Sequence, residues 1–516
     1  MKKQIVSIVV LSLAALGLAG CTRRGTNSSS TSNNPSTPST SVKDGIRVAY
    51  GIQDYNLVRA EVQVKNGVAS SVHFDEYPIT ADYIAKTSLT SGDNLVSGDV
   101  TKWGKTSTVY QAKYINVNGN VFTGSFADGK FTYSNSTIVD YDTWAKGLTS
   151  QKDLSDLYYA VANNFAFGSD AEGNKVDGLT PTNLSKADYA STYWNVKTEK
   201  AVEGSEWKWN IQKLEKALEG KNLDKVTLAS VKNDKNSITD WTVDSTSIGA
   251  TMTSMDAHLA IAKQAFDGTS KVVAYYNADA LSGRSSNGHK DCIAKVELVV
   301  GNDNKVVDAH INETVEFLDT FAATTTEPTY EHVSFEKTSH NKTSTVYVAK
   351  YMWLNGTVYT ASAASSDKAN YIYKNGDKEA YATIASNPYL SADFYNAAFT
   401  HHIRVAKDAT ASETYDASYA NKTATKAEYG CTYWNTKTEG KTINGSQWKW
   451  NIDKVEKSFV GKDMSKATVA AITEKDPKTS KDKTIGWKLD SVETGATMTE
   501  YETFATFAKN AYAYLA

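Results

Sequence analysis

The sequence predicts an α+β protein made of two tandem homologous domains, each with a mostly antiparallel sheet and with helices late in its sequence. Three observations lead to this fold class. Sequence blocks recur about 240 residues apart, each copy opens with strand-like alternation around a turn, and each copy closes with two segments of helical periodicity.

The internal repeat sets the domain boundaries. The clearest recurring blocks are residues 108–114 (TVYQAKY) and 345–351 (TVYVAKY), residues 207–211 and 448–452 (both WKWNI), and residues 249–253 and 495–499 (both GATMT). The blocks keep their order, and units of this length are too large for solenoid repeats. We therefore predict one domain at residues 45–268 and a second at residues 269–516.

Each copy opens with the pattern of a β-hairpin. In the first copy, valines alternate with polar residues on both sides of Asn66-Gly67, a dipeptide that favours a tight hairpin turn. In the second copy, the same alternation flanks residues 301–304 (GNDN). A short strand is predicted later in each copy, around Trp241 and around Trp487.

A first helix is predicted in each copy from apolar residues at positions i, i+4, i+7 and i+11. These positions are Trp207, Ile211, Leu214 and Leu218 in the first copy, and Trp448, Ile452, Val455 and Phe459 in the second. Ser205 and Ser446 precede these helices and are expected to cap them, and Gly220 and Gly461 are expected to end them.

A last helix is predicted directly after the Gly-Ala-Thr that opens each GATMT block. Its apolar face begins at Met252 in the first copy and at Met498 in the second. A Thr-x-x-acid pattern, typical of a capping box, stands at each start. The two patterns are Thr253 with Asp256, and Thr499 with Glu502.

The N-terminal segment has the three parts of a secretory signal. Lys2 and Lys3 precede an apolar run at residues 5–18, and small residues lead to Cys21. The block Leu-Ala-Gly-Cys resembles the bacterial lipobox, whose cysteine is lipidated. We therefore expect a signal peptide at residues 1–20, and a lipidated Cys21 with a disordered Ser/Thr-rich linker at residues 21–44. An ordinary signal peptide with a chance cysteine is the alternative.

Composition excludes some classes of function. The formal net charge is −3, and no basic block suggests nucleic acid. The eight histidines show no metal-ligand spacing, so the sequence assigns no metal. Cys292 and Cys431 are equally compatible with a disulfide and with two free thiols. No nucleophile or acid–base constellation indicates catalytic residues, which favours a carrier over a substrate-transforming enzyme.

The strongest functional motif is the Gly-Ala-Thr turn, which occurs at the equivalent place in both copies. Its residues are Gly249, Ala250 and Thr251, and Gly495, Ala496 and Thr497. The turns resemble the flavinylation motif of FMN-binding domains, such as those of bacterial sodium-pumping quinone reductase subunits. This resemblance implies that a flavin transferase joins one FMN by a phosphoester to Thr251 and another to Thr497.

The first copy departs from the family pattern, because Ile248 stands where the family has Ser or Thr, whereas the second copy keeps Thr494. The predicted capping boxes would start the helix within two residues of each acceptor. A phosphate there would face unpaired backbone N–H groups and the positive end of the helix dipole. The alternative is that each triplet only forms a strand-to-helix turn.

Aromatic side chains are candidates for stacking on a flavin or a partner. Helical spacing places Trp207 and Trp448 on a buried face, whereas Trp209 and Trp450 lie off it. Ordinary packing is the favoured interpretation for most of the aromatic residues, including the pairs at residues 193–194 and 433–434.

The whole layout resembles the flavinylated electron-transfer lipoproteins of Gram-positive bacteria, of the pheromone-lipoprotein type. This resemblance implies a lipid-anchored carrier on the extracellular face of the cell membrane. Electrons would pass from a membrane quinol dehydrogenase to the FMN groups and then to extracellular acceptors such as ferric iron. A surface binding or adhesion lipoprotein with tandem β-rich domains and no cofactor is the alternative from another class.

Overall fold

The apolar alternation of the sequence forms strands in both repeats, and every strand pair in the described residues is antiparallel. The computed structural model of the protein describes residues 42–81, 89–102, 104–117, 119–162, 167–172, 185–186, 207–278, 293–313, 323–328, 331–339, 342–354, 357–363, 371–379, 383–384, 387–399, 405–406, 413–414 and 448–515. The prediction of an α+β protein with mostly antiparallel sheets is confirmed.

The elements of the first repeat come in two groups. The strands are β1 (Gly45–Gln53), β2 (Asn56–Lys65), β3 (Val68–Pro78), β4 (Leu95–Lys102), β5 (Lys105–Ala112), β6 (Tyr114–Val117), β7 (Asn120–Ala127), β8 (Lys130–Ser134), β9 (Phe167–Ser169), β10 (Leu228–Lys232), β11 (Ile238–Val243) and β12 (Thr246–Ser247). The helices are α1 (Tyr141–Lys146), α2 (Gln151–Ala162), α3 (Trp207–Leu218) and α4 (Met255–Asp267).

The second repeat follows the same plan. Its strands are β13 (Val272–Ala278), β14 (Ile293–Val300), β15 (Val306–Glu313), β16 (Ala323–Thr324), β17 (His332–Ser339), β18 (Lys342–Ala349), β19 (Tyr351–Leu354), β20 (Thr357–Ala363), β21 (Tyr371–Asn375), β22 (Lys378–Glu379), β23 (Val405–Ala406), β24 (Glu413–Thr414), β25 (Val469–Lys475), β26 (Asp482–Leu489) and β27 (Val492–Glu493). Its helices are α5 (Pro388–Phe399), α6 (Trp448–Phe459) and α7 (Tyr501–Tyr512).

One six-stranded sheet contains strands of both repeats, in the order β15-β14-β13-β1-β2-β3. The repeats meet where β1 pairs with β13, with Arg47 opposite Val273 and Val48 opposite Val272. The hairpin predicted at Asn66-Gly67 joins β2 and β3, and both turn residues have positive φ (53° and 74°). The boundary predicted near residue 268 falls between α4 and β13.

Each face of this sheet is covered differently. The even-numbered apolar residues of β2 face a core formed with α3 and α4, and α6 and α7 cover β13–β15 in the same way. On the opposite face, α2 packs on β1 and α5 packs on β13. Several buried side chains on that face are charged or polar, namely Arg59, Glu61, Gln63, Lys295 and Glu297. This inner polar layer lies where the two repeats meet.

The predicted helices are present, and α3 and α6 end where expected. Gly220 and Gly461 lie just beyond α3 and α6 with φ of +76° and +79°, values that favour glycine. The N–H of Gly220 donates to Ala69, and that of Gly461 donates to Val306, so each helix end is fixed to the start of β3 or β15. Among the described residues, no helix has both the length and the apolarity to cross a membrane.

Candidate functional site

Each Gly-Ala-Thr turn follows a tight hairpin whose shape is the same in both repeats. Asp244 and Ser245 both have positive φ between β11 and β12, and Asp490 and Ser491 have it between β26 and β27. The carboxylate of Asp244 accepts a hydrogen bond from the backbone N–H of Thr227 at 3.0 Å. The side chain of Asp244 therefore holds the hairpin in place, and this fixes the direction in which the backbone enters the Gly-Ala-Thr turn.

The turn buries its alanine and exposes its threonine. Gly249 and Gly495 adopt left-handed conformations with φ of +68° and +73°, which glycine tolerates without strain. The next residue, Ala250 or Ala496, is fully buried. Thr251 and its counterpart, in contrast, are exposed to solvent. The small apolar side chain anchors the turn, and the hydroxyl-bearing residue is accessible to a macromolecule.

An asparagine of the WKWNI block holds each acceptor threonine. The side-chain oxygen of Asn210 accepts the backbone N–H groups of Thr251 at 2.6 Å and Met252 at 3.2 Å. In the second repeat, Asn451 accepts the N–H of Thr497 at 2.8 Å, and its Oδ1 lies 3.2 Å from the threonine hydroxyl. Both asparagines are buried, so this hydrogen bond fixes the threonine backbone from the protein side.

A tryptophan fixes the residue after the threonine. The indole N–H of Trp241 donates to the carbonyl oxygen of Met252 at 2.7 Å, and that of Trp487 donates to Met498 at 2.7 Å. Both rings are largely buried. Each turn is thus clamped between an asparagine on the preceding helix and a tryptophan on the preceding strand.

A lysine lies beside each turn, one helical turn after the asparagine. The ammonium group of Lys213 donates to the carbonyl oxygen of Gly249 at 2.7 Å. In the second repeat, the stem of Lys454 packs beside Gly495, where a Cβ atom would lie 3.6 Å from the lysine Cδ. Both lysines are half-buried on α3 and α6. The helices whose asparagines position the threonines therefore also place a lysine beside the glycine of each turn.

The two turns differ in how their first N–H groups are satisfied. In the second repeat, the hydroxyl of Thr494 donates to the carbonyl of Trp487 at 3.1 Å and accepts the N–H of Ala496 at 3.2 Å. The first repeat has Ile248 instead, and the carboxylate of Asp240 accepts a hydrogen bond from the N–H of Trp241 at 2.7 Å and lies near the N–H groups of Gly249 and Ala250. Desolvation acts in the opposite direction, but these bonds and the Ser247 hydroxyl lower the pKa of Asp240.

The predicted capping boxes are wrong. The helices begin at Met255 and Tyr501, four residues after the proposed acceptors, with Ser254 and Glu500 at the N-cap positions. Neither N-cap side chain makes a capping hydrogen bond. Ser254 has a φ of +71°, so the chain changes direction before the helix starts.

The expectation that a phosphate on Thr251 or Thr497 would face unpaired backbone N–H groups is also wrong. The N–H groups of Thr251 and Met252 are occupied by Asn210, and that of Thr497 by Asn451. The local charge that could neutralise a phosphate is therefore lysine, because the backbone donors nearest the threonine are already used.

Several predicted residues lie outside the described part of the chain. They are Cys21, Cys292, Cys431, Ser205, Ser446, the aromatic pairs at residues 193–194 and 433–434, and the side chains of Trp209, Trp448 and Trp450. Trp207 is buried as predicted, and its indole N–H donates to the carboxylate of Glu76 at 2.5 Å.

Four residues of the site were not predicted from the sequence, namely Asn210, Asn451, Lys213 and Lys454. A signal was present, because all four lie within or just after the WKWNI block that both repeats retain. What was missing was the fold, which brings this helix against a turn about forty residues later in the chain.

In comparisons with protein-family models, curated proteins and solved structures, no match to this chain was found.

Proposed function

We propose that this protein is a membrane-anchored extracellular electron carrier that holds covalent FMN at Thr251 and Thr497. Under this proposal, residues 45–268 and 269–516 are two FMN-binding-type domains, each with one flavin. The observation that carries the proposal is the pair of equivalent turns. Each turn buries an alanine, exposes a threonine held by a buried asparagine, and has a lysine of the same helix beside its glycine.

The residues around each turn fit a phosphoester on the threonine. An acceptor hydroxyl must be reachable by a separate transferase, and Thr251 and Thr497 are exposed. The ester must also tolerate negative charge, and Lys213 and Lys454 lie beside the glycines two residues before the acceptors. Gly249 and Gly495 carry no side chain that would obstruct a flavin or an enzyme.

Each residue has a separate role in this arrangement. The threonine hydroxyl provides the attachment atom, the asparagine orients the threonine backbone, and the lysine offsets the charge of the phosphate. FMN, when bound, supplies reversible transfer of one or two electrons. The protein supplies attachment and electrostatics, and no catalytic residue is required of it.

The predicted lipid on Cys21 and the linker at residues 21–44 complete the proposal. A carrier that receives electrons from a membrane quinol dehydrogenase must stay near the membrane, and a lipid anchor would keep it there. A flexible Ser/Thr-rich linker would allow the folded part to reach acceptors such as ferric iron.

The mass of the denatured protein tests the attachment. We would co-express the protein with a flavin transferase, denature the purified protein and measure its mass by mass spectrometry. The expected result is a gain of two FMN phosphoesters, one of which is lost in Thr251→Ala and the other in Thr497→Ala. Thr253→Ala and Thr499→Ala are matched controls, because they remove exposed threonines two residues away.

The outcome also separates the two classes of function. An unmodified mass under conditions that flavinylate a control substrate would refute the carrier proposal and favour the surface binding or adhesion lipoprotein. If both Thr→Ala variants keep the full modification, the protein is still flavinylated, but Thr251 and Thr497 are not the attachment sites.

A further inference from the structure

Three metal-binding side chains from the two repeats converge on the polar face of the central sheet. Asp156 lies on α2 of the first repeat, whereas Asp308 and His310 lie on β15 of the second. One possible ligand atom of each residue lies within 4.8 Å of those of the other two. The side chains of Asp156, Asp308 and His310 are 12%, 16% and 14% exposed. The cluster is thus mostly buried, yet open enough for solvent to reach it.

The two carboxylates of this cluster lie close enough to repel each other when both are charged. Lys152 lies on the more exposed side, with its Nζ 2.6 Å from Asp156 Oδ2. A second cation near the two carboxylates would relieve this repulsion.

The imidazole of His310 is oriented toward the carboxylates. Its Nε2 lies 2.9 Å from Asp308 Oδ2, and in the described part of the chain this buried nitrogen has no partner with hydrogen-bond geometry. The ring of Tyr159 stacks on the imidazole, with ring centroids 3.9 Å apart and an interplanar angle of 22°. The stacking fixes the plane of the ring, as groups around a metal ligand commonly do.

The equivalent place in the first repeat has a different composition. His73 corresponds to His310, Ser71 corresponds to Asp308, and the facing carboxylate is Asp393 on α5 of the other repeat. There, His73 Nε2 lies 3.0 Å from the serine hydroxyl and 2.9 Å from Asp393 Oδ1. Gln63 also donates to this carboxylate at 2.7 Å. That site therefore has one carboxylate, with a serine in the place of the second.

We propose that Asp156, Asp308 and His310 bind one Zn²⁺ ion that links helix α2 of the first repeat to strand β15 of the second. Two carboxylates and an imidazole suit a first-row divalent ion, whereas Ca²⁺ and Mg²⁺ prefer oxygen ligands alone. Tetrahedral ligands on bonds of about 2.1 Å lie roughly 3.4 Å apart. The 2.9 Å between His310 Nε2 and Asp308 Oδ2 and the 4.8 Å limit among all three residues lie on either side of that spacing.

The sequence could not reveal this site. Zinc sites are recognised in sequences from donors at short fixed spacings, but Asp156 is about 150 residues from the other two. The site is also independent of the proposed flavin attachment, because none of its residues belongs to the Gly-Ala-Thr turns. Its failure would leave the carrier proposal intact, and the reverse also holds.

Calorimetric titration of the full chain with Zn²⁺, after EDTA treatment and dialysis, tests the proposal. We expect one ion per chain and an increase of the unfolding temperature with Zn²⁺ concentration. Asp308→Ser, which reproduces the composition of the first repeat, should weaken binding at least about 100-fold, since even changes around metal ligands commonly cost 10- to 100-fold. Asp393→Asn is the matched control and should leave binding unchanged.

Two results would overturn the proposal. One is wild-type binding no tighter than that of Asp308→Ser. The other is an equal loss in Asp393→Asn, which would indicate a general effect on the sheet. If Asp308→Ser fails to fold by circular dichroism, Asp156→Asn decides the question, because it keeps side-chain volume on a helix and removes the ligand from the first repeat. Retained Zn²⁺ affinity in folded Asp156→Asn would refute the site.

Discussion

The two Gly-Ala-Thr turns reach the same shape with different supporting residues. Both use a left-handed glycine, a buried alanine and the oxygen of a buried asparagine. They differ one step earlier in the chain. The second turn is closed by the hydroxyl of Thr494, whereas the first has Ile248, with the carboxylate of Asp240 near the same N–H groups. The position of Asp240 corresponds to Gly486 in the second repeat.

The difference between Thr494 and the pair Ile248 and Asp240 shows which parts of the turn are shared by the repeats and which can vary. The backbone N–H after the glycine needs an acceptor. The Thr494 hydroxyl provides one in the second repeat, and we infer that Asp240 does so in the first. The choice affects charge, because Asp240 places a carboxylate beside the turn that carries Thr251. A phosphate on Thr251 would therefore meet more negative potential than a phosphate on Thr497, which makes Thr497 the more favourable acceptor under the proposed function.

Removal of the shared asparagine should have the largest effect. In Asn210→Ala and Asn451→Ala, the N–H groups of the acceptor threonine lose a buried partner. We expect each change to lower the free energy of unfolding by about 1–3 kcal/mol, measured by urea denaturation. Asn222→Ala, whose amide donates to Gly67 at 3.4 Å, is the control and should cost less. Equal losses in all three variants would contradict a special role in the turns.

The sites around His310 and His73 should also differ in how they make stability depend on pH. The pKa of Asp156 is raised to about 7 in the folded protein, so the folded state holds a proton that the unfolded state has released. Its contribution to stability is therefore complete below about pH 4 and is lost as the pH rises toward 7. Asp156→Asn should flatten this part of the stability–pH curve, measured by urea denaturation in EDTA. If Asp393→Asn flattens the curve equally, the asymmetry is not responsible.

The roles of Thr494 and Asp240 can be tested by placing the residues of the first turn at the equivalent positions of the second. Thr494→Ile removes the hydroxyl that closes the second turn and should cost about 1 kcal/mol. Gly486→Asp added to it recreates the pair found in the first repeat, and a Cβ at Gly486 meets its nearest neighbour at 3.4 Å, an ordinary contact. The double variant should recover at least half of the loss in a double-mutant cycle. Additive losses would show that Asp240 does not replace Thr494.

The smallest effect is expected at the threonines that were predicted to cap the last helices. Thr253 and Thr499 are exposed and are not the N-cap residues. Their replacement by alanine should change the free energy of unfolding by less than about 0.5 kcal/mol, measured by thermal denaturation. A loss near 1 kcal/mol in either variant would instead indicate a working cap.

Local features were predictable because they depend on neighbouring residues. Asn66-Gly67 forms its hairpin since both residues tolerate positive φ, and α3 forms because its apolar residues follow the helical period. The start of the last helix was mispredicted for a related reason. A Thr-x-x-acid pattern cannot reveal that Ser254 turns into the left-handed region first.

The sequence by itself determined the repeat, the strands and helices of each copy, and the place of the two threonines in matching turns. Tertiary structure decided that β1 pairs with β13, so that the repeats share one sheet. It also decided that Asn210 reaches Thr251, and that Asp156 meets His310 from the other repeat. Backbone conformation and periodicity act over a few residues, whereas these contacts join residues far apart in the chain and form only when the apolar faces of the sheet and helices are buried together.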